Sequence, residues 1–220
     1  VIKSILGLVA WTVVQGIRVM KNVDSKKTKL KWDKLDNTAL LFPVIANESM
    51  SSVYRISLTL SEEIEKDLLQ EALNRVLPFF DIFNSRMRNG LFWYYLEQVP
   101  HAPSIREEAS CPLLPMPKWE ARKCAFRVIV YNRRIAVEFF HSLTDGNGGL
   151  VFLKTLVAEY LHQKYGIAIE ASHGILDCTE APKPEEMEDS FLKYAGPVAA
   201  GRGEANAFRL SGTPEPDNFR

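Results

Sequence analysis

Between Ala125 and Tyr165 two short apolar runs turn about a tight corner and pass directly into a helical repeat. Ala125 to Tyr131, and a second run opening at Arg134 or Ile135 and ending at Phe140, flank Asn132-Arg133 and read as a hairpin. From Gly149 to Tyr165 the period changes. Leu150, Leu153, Leu156, Val157, Tyr160 and Leu161 recur on one helical face, and Gly166 is placed as the C′ residue.

The segments upstream extend the pattern. Val53 to Leu60 alternates, with Tyr54, Ile56, Leu58 and Leu60 on one side and Arg55, Ser57 and Thr59 on the other, as in a half-buried strand. Ser61 is then read as an N-cap, with Glu62 and Glu63 in the first turn of a helix. Its apolar face is Ile64, Leu68, Leu69, Ala72, Leu73, Val76 and Leu77, and Pro78 closes it. Ile82 to Arg88 and Leu91 to Gln98 flank Asn89-Gly90, a pair suited to a two-residue type I′ turn. A proline-rich crossing (Pro100, Pro103, Pro112, Pro115, Pro117) between the hairpins is expected to be an extended loop. After Gly166 the patterning fades: a short acidic helix is expected over Glu185 to Tyr194, a small flexible stretch over Gly196 to Gly203 and a last strand over Ala207 to Leu210.

Strand, helix, hairpin, hairpin, helix, with mainly antiparallel pairing, predicts an α+β two-layer sandwich with its helices on one face. A doubly wound parallel sheet is disfavoured, and no Gly-x-Gly-x-x-Gly or P-loop follows any strand. The 220 residues are 46% hydrophobic and 25% charged, enough apolar material for a core. Lys+Arg and Asp+Glu both total 27, so the zero net charge argues against a nucleic-acid partner. Cys111, Cys124 and Cys178 have no C-x-x-C spacing, which suggests neither a disulfide framework nor a thiolate metal site and fits a reducing cytoplasm.

Residues 1–31 stand apart as an apolar segment and basic linker, with the domain proper over 32–220. The uncharged stretch Ser4 to Ile17 is shorter than the ~20 residues of a bilayer-spanning helix. It reads first as a packed or partner-bound helix, with a membrane-surface or signal-like role as the alternative. The lysines from Lys21 to Lys34, with only Trp32 among them, read as a solvated connector rather than a phosphate site. Val1, where a Met would be usual, implies a start inside a longer product or a non-Met start codon.

One constellation carries chemistry: Phe140-His141-Ser142-Leu143-Thr144-Asp145-Gly146-Asn147-Gly148-Gly149, at the junction of strand and helix. A histidine at a sheet edge, held by rigid elements yet open to substrate, is placed as a general base should be. Local physics alone permits a plainer reading, in which His141 is a sheet-edge residue, Asp145 a helix N-cap and the glycines turn formers. A metal site lacks further ligands beside His141 and Asp145. Ser142 is a poor nucleophile for His141, because adjacent strand residues point to opposite faces. The glycine-rich turn lacks the Lys and Ser/Thr of a phosphate cradle.

The segment resembles the His-His-x-x-x-Asp-Gly motif of the coenzyme-A-dependent acyltransferase superfamily, which includes chloramphenicol acetyltransferase and nonribosomal peptide condensation domains. Phe140 replaces the first histidine, and His141 stands at the catalytic second one. Trp32-Asp33-Lys34-Leu35-Asp36-Asn37 and Leu41-Phe42-Pro43 resemble the opening of the alcohol acetyltransferase-like branch. The resemblance implies a chloramphenicol acetyltransferase-like fold and direct acyl transfer from acyl-CoA, a co-substrate rather than a tightly bound cofactor, to an alcohol or amine, with His141 as general base. It also implies that Asp145 orders the loop through an ion pair and that Gly146 permits a close backbone approach. Ser142 and Thr144 would be hydrogen-bonding neighbours of the substrate. With 74 residues after Gly146, the chain matches the first half of the family's two-domain members, so a C-terminal half or a homo-oligomeric partner is expected. Two other readings follow from the same residues: a non-catalytic ligand-binding or assembly module, and an interaction protein docked through Val1 to Met20.

Overall fold

A computed structural model describes residues 31–47, 50–179, 193, 194 and 196. In chain order the elements are β1 (Trp32–Lys34), α1 (Leu41–Ile45), β2 (Val53–Thr59), α2 (Lys66–Val76), β3 (Ser85–Asn89), β4 (Tyr94–Gln98), β5 (Arg106–Glu107), α3 (Lys118–Ala121), β6 (Phe126–Tyr131), β7 (Arg134–Phe140) and α4 (Gly146–Tyr165). The N-terminal apolar segment, most of the expected acidic helix and the last strand lie outside the described residues.

Two sheets form, one of three strands in the order β1-β4-β3 and one of four in the order β2-β7-β6-β5. All pairs are antiparallel except β5 with β6. The α+β class expected from the sequence is the one observed. Helix α4 packs on β2 and β7, and α2 packs on α4. Their shared core contains Phe126 and Val128 of β6, Ile135, Val137 and Phe139 of β7, Leu69 and Leu73 of α2, and Phe152, Leu156 and Tyr160 of α4. Phe152 is central, with its ring against Phe83, Phe126 and Phe139.

The opposite face of the larger sheet is also covered. Glu138, only 1% exposed, lies between Arg127 at 2.6 Å and Arg55 at 3.1 Å. Arg55 continues to Glu108 at 2.6 Å and thence to Arg134, while Arg127 continues to Glu120 at 3.4 Å and thence to Arg106. The proline-rich crossing seals this chain of charges. Leu113 donates its amide to Glu138 at 3.0 Å, and the Leu114 carbonyl accepts from Arg127 at 2.8 Å.

Several expectations are corrected. Helix α2 begins at Lys66, with Glu65 at its N-cap, so Ser61 caps nothing there. Residues 60–65 are held instead by tertiary bonds: the amides of Leu60 and Ile64 donate to the carbonyls of Arg133 and Asn132, and that of Glu65 to the Tyr160 hydroxyl. Asn89-Gly90 is not a two-residue turn, because Asn89 pairs with Tyr94 and neither residue has a positive φ. The register that buries Met87 opposite Leu96 leaves residues 90–93 as the loop, closed by Gly90 N–H donating to the Trp93 carbonyl at 2.7 Å. The crossing holds β5 and the single-turn α3, and β1 pairs with β4 where only an entry to the domain was read. Leu150, counted on the buried face of α4, is 39% exposed, and Phe152 takes its place in the core.

Candidate active site

His141 immediately follows β7, whose last residues are buried on both faces. The His141 amide donates to the Ser52 carbonyl at 2.9 Å, continuing the pairing of β2 with β7 by one more bond. Its partly exposed imidazole lies face to face with Phe42 of α1, ring centroids 4.1 Å apart and planes 6° apart. Tyr54 of β2 approaches the same imidazole at 4.8 Å, tilted by 55°. Among the described residues, no hydrogen bond engages either ring nitrogen of His141.

The loop that follows is fixed residue by residue. Ser142 is buried and donates its hydroxyl to the Ala39 carbonyl at 2.8 Å, which ties the motif to the turn before α1. That bond turns the hydroxyl inward, so the expected substrate neighbour serves as a structural tie. Leu143 is buried, its amide donating to the Phe140 carbonyl at 2.8 Å. The Thr144 hydroxyl donates to the Asp145 carbonyl at the long distance of 3.5 Å. Asp145 is the N-cap of α4, its Oδ1 accepting from the Gly148 amide at 2.8 Å. Among the described residues it makes no ion pair, and there this cap orders the loop.

The close backbone approach falls on a different glycine from the one expected. A Cβ on Gly146 would meet nothing within 4 Å among the described residues, whereas on Gly149 it would lie 2.7 Å from the Tyr54 hydroxyl and 3.0 Å from Phe139. Tyr54 donates that hydroxyl to the Asp145 carbonyl. Burial, reinforced by the Asp145 carboxylate, raises the phenol well above its ordinary pKa, although a hydrogen bond with Thr144 opposes the shift; it therefore stays protonated and able to donate.

Phe140, where the resembling family has its first histidine, turns to the other face of β7. It lines a cleft with Pro43, Met87, Tyr94 and Met116. No group of three or more His, Cys, Asp or Glu among the described residues is arranged to hold a metal ion. No described helix is long and apolar enough to cross a membrane. The sequence reading placed Tyr54 on an inward strand face and singled out Leu41-Phe42-Pro43 by resemblance, but it gave neither ring a role at His141. Strand period shows which face a residue occupies, not what meets it across the fold.

No protein-family model and no curated protein sequence matches the chain. Solved structures do. The starter condensation domain of rhizomide synthetase RzmA, as a single-site mutant, matches with a TM-score of 0.55 at 12% identity, over 77% of this chain and 45% of that one. A double mutant of the same domain matches with a TM-score of 0.51 at 11% identity, over 64% and 40% of the two chains. The first condensation domain of the calcium-dependent antibiotic synthetase, in complex with a substrate analogue, matches at 14% identity with a TM-score of 0.49, over 64% and 40%. The chain spans less than half the length of these structures. At such identities the likeness is one of fold, and the fold is that of condensation domains.

Proposed function

We propose that this chain forms the N-terminal half of an acyl-transfer enzyme in which His141 removes a proton from an alcohol or amine as it attacks the thioester carbonyl of an acyl-CoA, in the simplest case acetyl-CoA. The observation that carries the reading is the placement of His141: a partly exposed imidazole at the end of a strand, in contact with two aromatic rings, with its nitrogens unengaged among the described residues. The acceptor's O–H or N–H proton passes to an imidazole nitrogen while its heteroatom bonds to the acyl carbon. The tetrahedral oxyanion then collapses, the C–S bond breaks, and the imidazolium returns the proton to the departing thiolate, so no acyl-enzyme forms. A positioned base contributes ~10²–10⁴-fold, and orientation and oxyanion stabilisation contribute the rest. Asp145, Ser142 and Gly149 act on the loop and not on the substrate. The alcohol acetyltransferase-like branch is the reading of the acceptor class, supported by the Trp32 to Asn37 and Leu41 to Pro43 segments. A C-terminal half or a second copy would close the acceptor and CoA channels, and the reaction would run in the cytoplasm with neither a nucleic acid nor a membrane as partner.

The test is thiol release from acetyl-CoA in the presence of short alcohols and amines, using the longest natural polypeptide that contains this sequence. His141→Ala should lower the rate by at least about 10²-fold; an unchanged rate would falsify the assignment. A second reading, a non-catalytic ligand-binding or assembly module, is favoured by one observation: Phe140 stands where the resembling family has a histidine. It predicts calorimetrically detectable acyl-CoA binding with no thiol release.

A further inference from the structure

We infer that Phe42 and Tyr54 are positioning residues for His141, setting the plane of its imidazole by ring contact in place of a hydrogen bond to a ring nitrogen. The inference rests on the reading of His141 as the base. A basic histidine is ordinarily oriented through its second nitrogen by a carboxylate or a carbonyl. Among the described residues nothing of that kind reaches His141. The imidazole is instead stacked on Phe42 at 4.1 Å and 6°, with Tyr54 at 4.8 Å and 55°. Ring contacts of this kind hold an imidazole by its faces and leave both nitrogens at the ring edge.

Each aromatic ring is itself held. Tyr54 is stacked on Phe139 at 5.4 Å, anchored by its hydroxyl to the Asp145 carbonyl, and packed on Gly149, where no side chain intervenes. Phe42 is tied through Ser52, whose hydroxyl donates to the Phe42 carbonyl at 3.3 Å while its own carbonyl accepts from the His141 amide at 2.9 Å. One residue therefore fixes the backbone of the base and of the ring stacked on it. Ser52 does so at φ 50°, a left-handed conformation that a non-glycine residue rarely adopts without such bonds. The arrangement also suits the reaction, because a π-face beside the imidazole attracts it once it becomes a cation. It assigns a role at the base to Phe42, which also packs against the core.

The experiment compares Phe42→Leu and Phe42→Tyr with the wild type in the longest natural polypeptide containing the sequence. It reads kcat and KM for thiol release, and the NMR shifts of the His141 ring protons. Phe42→Leu should lower kcat by about 10–100-fold with KM little changed, since misplacing a reacting group by about an ångström acts on the transition state. It should also move the His141 ring protons downfield, out of the shielding cone of the lost ring, whereas Phe42→Tyr should restore both rate and shifts. Unchanged shifts and kcat in Phe42→Leu would overturn the inference. A rise in KM alone would also overturn it, by making Phe42 a substrate contact. Should Phe42→Leu fail to fold, Phe42→Tyr together with Tyr54→Leu carries the same comparison. A silent His141→Ala removes the general-base reading instead, and the ring-proton shifts then still decide whether the two aromatics set the imidazole.

Discussion

A methyl group at Gly149 would stand 2.7 Å from the Tyr54 hydroxyl, 3.0 Å from Phe139 and 3.2 Å from Ile56, with strand and core side chains on every side. Gly149→Ala should therefore destabilise the protein by about 1–3 kcal/mol in urea unfolding, as overpacking does elsewhere. It should also lower acyl transfer by displacing Tyr54 from His141. Gly146→Ala provides the contrast. Its Cβ would meet nothing within 4 Å among the described residues and its φ is not positive, so alanine should be neutral or stabilising by up to about 1 kcal/mol. Equal loss at both positions would contradict this account of the turn. The histidine and the glycine-rich run were legible from spacing. Which glycine is required was not, because steric demand at Gly149 comes from Tyr54, ninety-five residues earlier.

At the scale of the element, α4 is delimited by local chemistry at both ends. Asp145 accepts from the Gly148 amide at its start, and Gly166 closes it at φ 68°. Asp145→Ala should reduce stability by about 1 kcal/mol, and Asp145→Asn should recover most of it, since either side-chain oxygen can cap. Urea midpoints at constant slope check this; a loss of several kcal/mol in both variants would instead imply a buried electrostatic role. Such caps are readable from sequence, which is why the strand, loop and helix around His141 were placed closely. Helix α2 shows the converse. Ser61 followed by Glu62 and Glu63 has the composition of a helix start, yet the amides of Leu60, Ile64 and Glu65 are taken by the β6–β7 corner and Tyr160. A tertiary hydrogen bond outweighed a capping preference of comparable size.

The whole molecule depends on a buried run of charges that no local pattern announces. Removing the Glu138 charge would leave Arg55 and Arg127 with Glu108 and Glu120 as their remaining carboxylate partners, so Glu138→Gln should destabilise by up to about 3–5 kcal/mol in urea unfolding. The same run gives a pH dependence. The close Arg55 guanidinium, 2.6 Å away, and then the hydrogen bond from Arg134 lower the pKa of Glu108 against the opposing effect of burial. A carboxyl depressed on folding contributes stability that is fully present above its unfolded pKa of about 4.3 and is lost as pH falls through the lower folded value. The stability difference between wild type and Glu108→Gln should accordingly be constant near neutrality and shrink below about pH 4; a constant difference down to pH 3 would contradict it. Alternation puts Arg55 on the polar side of its strand, but it separates two faces without saying which of them meets water. The sequence by itself determined the mainly antiparallel pairing, the hairpin at Asn132, the C-terminal limit of α4 and the presence of a histidine where β7 gives way to it, since each follows from periodicity, caps and turn residues within a few positions. Tertiary structure alone decided the four-residue loop after Asn89, the sealing of the charged face by the crossing, and the seating of the His141 imidazole between Phe42 and Tyr54. The loop rests on the register that buries Met87 opposite Leu96, and the other two on contacts between residues more than ten to about a hundred positions apart, whose energies arise only once the chain has folded.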